Sequence, residues 1–473
     1  MHDDPSQIEF NRSALQLGLR DTIGLMIGIV VGTAIFRSPP IVFSCMSNGW
    51  QAIGIWLVGG VLCLAGAVCY AELAVALPRN GGEYHYIRQS MGSKVGFVFA
   101  WVQLCGVYTA SISALAYAFG DYAATITQYD ANVQPLFAGA VVAGLCMINL
   151  SVGVNWKCLH NALSLAVLTG LLAIVGAAIL FGHDRLYACG VSFGAPRKEP
   201  LAVGVALIHV LYAYGGWQES VYVAAEIRDR KRNIPRSLVG GLALIAIFYA
   251  SVNWAYLAIL GYDRAIASSA PATDAMRLLA GGIGATLTSI LVMLAIAGSI
   301  NGMLITSARL YRSLGKDYRL MRWLDSGDDD GPPVQAILLQ AAASVGLIAT
   351  VGTDIGRTLT QSALSAVGGR PIEWEGYAGG FEVIIAACAP LFWGSLLLAG
   401  VTVLLLRSKS VIPRGYAMPC YPVPPIVFCS TCCFMLHSSI RYAGGLAVVG
   451  VLIVLAGVLA CAFVREKAEQ PEM

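Results

Sequence analysis

The chain has 473 residues, of which 57% are hydrophobic and only 12% are charged, whereas soluble domains carry about 25% charged residues. This composition excludes a soluble globular protein and indicates a polytopic membrane protein in contact with lipid. The net charge of +3 says little about nucleic acid, but the basic loops are explained by membrane topology, so we expect no nucleic-acid partner.

Twelve apolar stretches are long enough to be membrane spans. They cover residues 19–44, 50–77, 94–127, 133–153, 158–181, 201–226, 237–260, 278–308, 333–352, 381–406, 423–440 and 444–464. The sequence therefore predicts an all-α integral membrane protein with twelve transmembrane helices. Most lysines and arginines fall on the side that would also hold both termini, which makes that side cytoplasmic. We expect a multi-pass protein of the plasma (inner) membrane with both termini in the cytoplasm.

The first span carries a helix-weakening Gly32-Thr33-Ala34 near its middle. Inside a bilayer such a break is costly unless the freed amides and carbonyls bind something. Discontinuous helices whose half-helix ends face a substrate are typical of secondary transporters. The sequence therefore predicts a substrate site at this break.

The sixth span repeats the interruption at Gly215-Gly216, beside two tyrosines, Gln218 and Glu219. Paired interruptions in corresponding positions of two halves indicate a transporter binding site. The alternative is tight helix packing, because glycine is common in membrane spans. We favour the binding interpretation, in which spans one to five and six to ten are inverted repeats.

This interpretation divides the chain into four parts. We predict a cytoplasmic tail at residues 1–14 and a ten-helix transport core at 15–406. The repeats of the core cover about 15–181 and 201–406. Two additional transmembrane helices follow at 407–464, and a second cytoplasmic tail occupies 465–473.

Seven short motifs in a fixed order carry a family resemblance. They are Gly32-Thr33-Ala34-Ile35-Phe36 with Pro39, Cys69 to Leu73, Pro78 to Tyr84, Tyr212 to Trp217, Glu226 to Arg236, Thr306-Ser307 with Arg309, and Tyr421-Pro422. With these motifs the sequence resembles the amino acid–polyamine–organocation superfamily, and within it most closely the L-type amino acid transporter branch. The similarity extends from about Leu17 to Val464.

The resemblance implies the leucine-transporter fold, with a five-plus-five inverted repeat and discontinuous helices one and six. Backbone around the first break would then face an amino acid carboxylate, and carbonyls at the second break would accept its ammonium group. Tyr212 falls where the family places an aromatic gate. The implied substrate-binding residues are Gly32, Thr33, Ala34, Ile35, Tyr108, Tyr212, Ala213, Tyr214 and Gly215.

Three departures from the family pattern stand out. Ala34 replaces the usual second glycine of the first break, which narrows the pocket by a methyl group. Val167 occupies the position where many bacterial members carry a lysine in the fifth span, so lysine-based proton coupling is not expected. Residues 128–132 contain no cysteine, so we expect no disulfide-linked heavy chain.

Glu219 is the candidate residue for coupling transport to protons or to substrate charge. Glu219 is a further departure, because it is not typical of the L-type branch. It resembles the Gly-x-Glu-Ser of the arginine–agmatine antiporter branch, and a charge near the bilayer midplane is costly. The alternative is a neutral acid that makes one structural hydrogen bond. No lysine or arginine lies mid-span, so only substrate or water is expected to meet Glu219. Sodium coupling stays open, with Thr306 and Ser307 as ligands or as donors to helix carbonyls.

Two other charged side chains have two interpretations each. Glu72 is either a second coupling carboxylate or a structural partner of a basic residue, and we favour the structural pairing. Arg37 is either a vestibule charge that attracts anions or a residue that snorkels outward.

We interpret the protein as a secondary active transporter, a permease or an exchanger, of amino acids or related amines by alternating access. The alternatives are a sensor of the same fold that binds without transporting, and a cationic amino acid or polyamine antiporter. We find no catalytic residues, metal ligands or cofactor motif, so an enzyme is not expected.

Overall fold

The computed structural model describes residues 17–77, 81–130, 133–151, 156–188, 202–325, 333–366, 372, 374, 379–409 and 416–464. Within these ranges the chain is helical, and the only β pairing is one isolated bridge between Leu17 and Ile227. Both predicted tails, at 1–14 and 465–473, lie outside the described residues.

Nineteen α-helices follow one another in the described ranges. They are α1 (Leu19–Val30), α2 (Ala34–Arg37), α3 (Pro39–Ser44), α4 (Gly49–Ala76), α5 (Gly82–Met91), α6 (Ser93–Val102), α7 (Thr109–Thr127), α8 (Gln134–Leu150), α9 (Trp156–Ala188), α10 (Val203–Tyr214), α11 (Arg230–Pro235), α12 (Gly241–Leu260), α13 (Tyr262–Ala267), α14 (Pro271–Asp317), α15 (Val334–Gly352), α16 (Asp354–Ala366), α17 (Gly380–Ser408), α18 (Val423–Ala443) and α19 (Ala447–Phe463).

Eight helical segments of the described chain are long and apolar enough to cross a membrane. Large apolar side chains such as Ile283, Leu459 and Phe463 remain exposed on these helices. In water such exposure would be unfavourable, but lipid tails are as apolar as the side chains themselves. The protein is therefore a multi-pass membrane protein with an all-helical architecture, as the composition predicts.

The first predicted span contains an interruption between α1 and α2. Helix α1 ends at Val30 and α2 begins at Ala34. A Cβ atom on Gly32 would lie 2.7 Å from the Ser299 hydroxyl oxygen, so glycine lets α14 approach the backbone of the interruption closely.

The sixth predicted span is interrupted after α10. Gly216 adopts a φ of +103°, in the left-handed region that favours glycine. A 3₁₀-helix then runs over Trp217–Glu226, where the sequence led us to expect an α-helical half. The Glu219 amide donates to the Gly216 carbonyl at 3.0 Å, the i→i+3 pattern of this tighter helix, and ten residues is long for it.

One hydroxyl group joins the ends of α1 and α10. The Tyr249 hydroxyl, on α12, lies 2.8 Å from the Val30 carbonyl oxygen and 3.1 Å from the Ala213 carbonyl oxygen. The last carbonyls of a helix have no partner within it. The Tyr249 hydroxyl has one proton to donate and lies within hydrogen-bond distance of both carbonyls, and the Val30 carbonyl also accepts from the Gly32 amide at 2.8 Å. Tyr249 is fully buried and packs edge-on against Trp56 with ring centroids 5.5 Å apart.

A π-helix at Gln103–Tyr108 separates α6 from α7, and nothing in the sequence predicted it. The Thr109 hydroxyl donates to the Leu104 carbonyl at 2.6 Å, which satisfies a carbonyl group in the widened turn. Insertions of this kind often occur at functional sites, because they redirect the side chains of a helix.

Glu72 is a structural partner of Arg407, as we favoured. Nε and Nη2 of Arg407 donate to the two carboxylate oxygens at 2.7 and 2.8 Å, and Glu72 is only 2% exposed. The guanidinium carbon also lies 4.0 Å from the ring centroid of Tyr421. The pair thus joins α4, α17 and the segment before α18.

Arg37 is held in an ion pair, which leaves its two interpretations as predictions. Its Nη1 lies 2.6 Å from Oδ2 of Asp121 on α7. Its guanidinium carbon also lies 4.8 Å from the ring centroid of Phe381 at the start of α17. Arg37 therefore connects three helices beyond the first interruption.

Candidate functional site

A cavity of about 80 Å³ lies where the two interruptions meet. Most residues that the sequence singled out contribute to its wall. Those that line the cavity are Gly32, Thr33, Ala34, Tyr108, Tyr212, Ala213, Gly215 and Glu219.

Two of the predicted site residues do not line the cavity. Ile35 is fully buried in the apolar core. The Tyr214 hydroxyl donates to the Trp56 carbonyl at 2.9 Å, and its ring lies 5.1 Å from that of Tyr249. Both side chains serve packing, and the roles predicted for their backbone groups stay predictions.

The first interruption presents three consecutive backbone donors. Among the described residues, the N–H groups of Thr33, Ala34 and Ile35 have no hydrogen-bond acceptor. Unpaired buried amides are rare and costly. Successive amides of this kind can accept an anion such as a carboxylate.

The second interruption presents acceptors. Among the described residues, no group donates a hydrogen bond to the carbonyls of Tyr214 and Gly215. The Tyr212 carbonyl accepts the Gly215 amide at 3.0 Å and keeps a second lone pair. Free donors occur at one interruption and free acceptors at the other, the two kinds of group that the carboxylate and ammonium of a zwitterion require.

Gln218, which the sequence singled out beside the second interruption, also lines the cavity. Sequence reasoning did not assign five other polar residues in the cavity wall, which are Glu83, Gln103, Ser111, Ser299 and Ser395. Gln103 is 3% exposed, and its side chain has no hydrogen-bond partner among the described residues. Gln103 is the first residue of the π-helix, so the wider turn affects the direction of its side chain. The sequence feature that could have identified Gln103 is the presence of a glutamine in an otherwise apolar span.

Glu219 has a protein partner, so the expectation that only substrate or water would meet it is wrong. The Thr306 hydroxyl, on α14, lies 2.6 Å from Oε2 of Glu219 and 3.0 Å from the Gly302 carbonyl. Helix α14 packs against the 3₁₀-helix, which brings the two side chains together. The other carboxylate oxygen accepts no hydrogen bond from the described chain.

Glu83 is a second buried carboxylate on the cavity wall. It is 3% exposed, and both of its oxygens accept hydrogen bonds from tyrosine hydroxyls, Tyr70 on Oε1 and Tyr222 on Oε2 at 2.9 Å. Burial raises the pKa of Glu83 to about 7, while these two hydrogen bonds act in the opposite direction. Neither Glu83 nor Glu219 is paired with a lysine or arginine in the described part of the chain.

Val167 lies in a tightly packed region beside α1. It is 3% exposed and borders a gap too small to hold a water molecule. The other residues around this gap are Ile27, Gly28, Val31, Leu163, Ser164, Ala295 and Gly298. The position therefore supplies no charge and no space for an ion.

The sequence matches known proteins over most of its length. A family described as "Amino acid permease" matches residues 17–464. The chain is 28% identical to the serine/threonine exchanger SteT of Bacillus subtilis, over 64% of this chain and 68% of that protein. It is 29% identical to the rat large neutral amino acids transporter small subunit 2, over 63% of this chain and 57% of that protein. It is 28% identical to the human Asc-type amino acid transporter 1, over 62% of this chain and 58% of that protein.

Proposed function

Because the chain belongs to the amino acid permease family, we propose that it is a secondary active transporter of amino acids or related amines in the plasma membrane. The family and its relatives are transporters, not enzymes. Its relatives include an exchanger and two amino acid transporters. The similar stretch covers just over two thirds of the bacterial relative and less than two thirds of the two mammalian ones.

The observation that carries the proposal is the pairing of free backbone groups at the cavity. The N–H groups of Thr33, Ala34 and Ile35 at the first interruption and the carbonyls of Tyr214 and Gly215 at the second have no hydrogen-bond partner among the described residues. Thr33, Ala34 and Gly215 line the cavity. Every amino acid offers a carboxylate and an ammonium group to such an arrangement, whatever its side chain. A general amino acid site follows from this chemistry.

Alternating access around this site requires a fold that can open to either side. We propose twelve transmembrane helices, with spans one to five and six to ten as inverted repeats and both termini in the cytoplasm. In this arrangement the discontinuous helices are α1 with α2, and α10 with the following 3₁₀-helix. Residues 407–464 would lie outside the repeats.

The experiment that tests the function begins with a thermal-shift screen of the purified protein against the twenty amino acids and common polyamines. A ligand at 100 times its dissociation constant stabilises by about 2.7 kcal/mol. Each hit is then tested for uptake and exchange in proteoliposomes. Flux of a hit supports the transporter; binding without flux would indicate a sensor, and the absence of any hit would contradict both.

Glu219 is the residue that we propose for proton coupling, with sodium as the alternative coupling ion. We expect Glu219→Gln to flatten the dependence of transport rate on pH between about pH 5 and pH 8, since glutamine cannot exchange a proton. The measurement is uptake in proteoliposomes with sodium or choline as the external cation. A pH profile like that of the wild-type protein would remove Glu219 from the coupling mechanism.

Tyr212 is proposed as an aromatic gate, and its ring rather than its hydroxyl would then matter. We expect Tyr212→Phe to retain most of the transport rate and Tyr212→Ala to lose most of it, because alanine leaves the cavity open. Initial rates of uptake, normalised to the amount of reconstituted protein, measure the difference. Equal damage in the two variants would indicate a hydroxyl contact instead.

A further inference from the structure

Part of the cavity wall is acidic. Glu83 and Glu219 both line the cavity and are 3% and 4% exposed. Gln103 lines the same cavity. We call Glu83, Gln103 and Glu219 the acidic subsite.

Hydrogen bonds within the protein satisfy only part of the acidic subsite. Glu83 accepts from two tyrosine hydroxyls, and Oε2 of Glu219 accepts from Thr306. Oε1 of Glu219 and the Gln103 amide have no partner in the described chain, although both side chains are almost completely buried. These atoms are therefore available to a ligand.

The charges of the acidic subsite are also unbalanced. Two carboxylates in a buried site destabilise each other when both are ionised, and a buried charge is costly unless it is paired. No lysine or arginine lines the cavity among the described residues. A positively charged group on a ligand would supply the missing partner and could donate hydrogen bonds to Oε1 of Glu219 and to the Gln103 amide oxygen.

We propose that the acidic subsite binds a second cationic nitrogen of the substrate, so that the protein selects diamino acids over neutral amino acids of the same size. This inference rests on the proposed function, in which the backbone groups of the two interruptions hold the carboxylate and the first ammonium. The side chain of the substrate then extends toward Glu83 and Glu219. A neutral side chain would leave both carboxyl groups without a cationic partner.

Matched ligand pairs test the inference directly. Ornithine and norleucine differ by one ammonium group in place of a methyl group, and 2,4-diaminobutyrate and norvaline form a shorter pair. We expect the diamino acid of at least one pair to bind the wild-type protein about tenfold or more tightly than its neutral partner, as is typical of hydrogen bonds to charged groups. Equal or weaker binding of both diamino acids would overturn the inference.

Variants of Glu83 and Glu219 test whether the preference for diamino acids arises at the acidic subsite. We expect Glu83→Gln and Glu219→Gln each to lower the ratio of neutral to diamino dissociation constants, and the double variant to bring it close to one. Asp354→Asn removes the same charge from an exposed position on α16 and should leave the ratio unchanged. Retained binding of the neutral ligand, together with a monodisperse elution profile, shows that a variant is folded.

Two further outcomes are informative. If sodium competes with ornithine while choline does not, the acidic subsite holds an inorganic cation and the inference is wrong. If neutral amino acids bind and exchange without any preference for diamino acids, the inference fails while the proposed function stands. If no amino acid of either kind binds, the proposed function itself fails.

Discussion

Replacing Gly216 by valine is expected to abolish substrate binding and transport. Gly216 has a φ of +103°, and a residue with a Cβ atom costs roughly 1–2 kcal/mol more than glycine in the left-handed region. Its Cβ would also lie 2.9 Å from Cγ2 of Ile29 at the end of α1. The side chain would therefore push apart the two interruptions that form the cavity. Ligand binding and uptake in proteoliposomes measure the loss.

Two other glycine variants complete this experiment. We expect Gly215→Val to abolish uptake as well, because its Cβ would lie 3.0 Å from the Tyr212 carbonyl oxygen where backbone must approach the ligand. Gly144→Val on α8 is the matched control, since no heavy atom lies within 4 Å of the added Cβ. Wild-type uptake in well-folded Gly215→Val and Gly216→Val would place the substrate site elsewhere.

Replacing Arg407 by glutamine is expected to destabilise the protein strongly. Glu72 would then be buried without its bidentate partner, and breaking a buried ion pair in this way costs roughly 3–5 kcal/mol. Contact with the Tyr421 ring would be lost as well. The thermal unfolding temperature of the purified protein should fall well below that of the wild type.

Matched variants distinguish the destabilisation caused by leaving Glu72 unpaired from the effect of losing any arginine. The double variant Glu72→Gln with Arg407→Gln removes both charges and should recover much of the stability. Arg277→Gln breaks the exposed 3.7 Å ion pair with Asp274, a type of pair that contributes at most ~1 kcal/mol. A similar unfolding temperature for Arg407→Gln and Arg277→Gln would contradict a structural role for the Glu72–Arg407 pair.

The sequence predicted the parts of the fold on which a bilayer imposes simple rules. Apolar length marks a span, and a glycine-rich break in mid-membrane marks a place where backbone groups need partners. These rules are local, so they identified the two interruptions at Gly32 and Gly215-Gly216. They also supported the pairing of Glu72, because a buried carboxylate requires a basic or hydrogen-bonding partner.

Other features depend on contacts between distant segments and could not be read from local pattern. Nothing in the sequence distinguishes the left-handed Gly216 from the extended Gly215 beside it. The π-helix that begins at Gln103 has no sequence marker. The partnership of Thr306 with Glu219 requires α14 to pack beside the 3₁₀-helix. Each of these was missed because tertiary packing, rather than composition, determines it.

The Tyr249 hydroxyl also bears on how the protein can evolve. Because this one group on α12 lies within hydrogen-bond distance of the carbonyls of Val30 and Ala213, the protein itself links the two interruptions. Backbone N–H and C=O groups cannot be removed by substitution, whereas the side chains of neighbouring helices can vary freely. New preferences for substrate side chains can therefore arise by point mutation without rebuilding the part of the site that suits every amino acid.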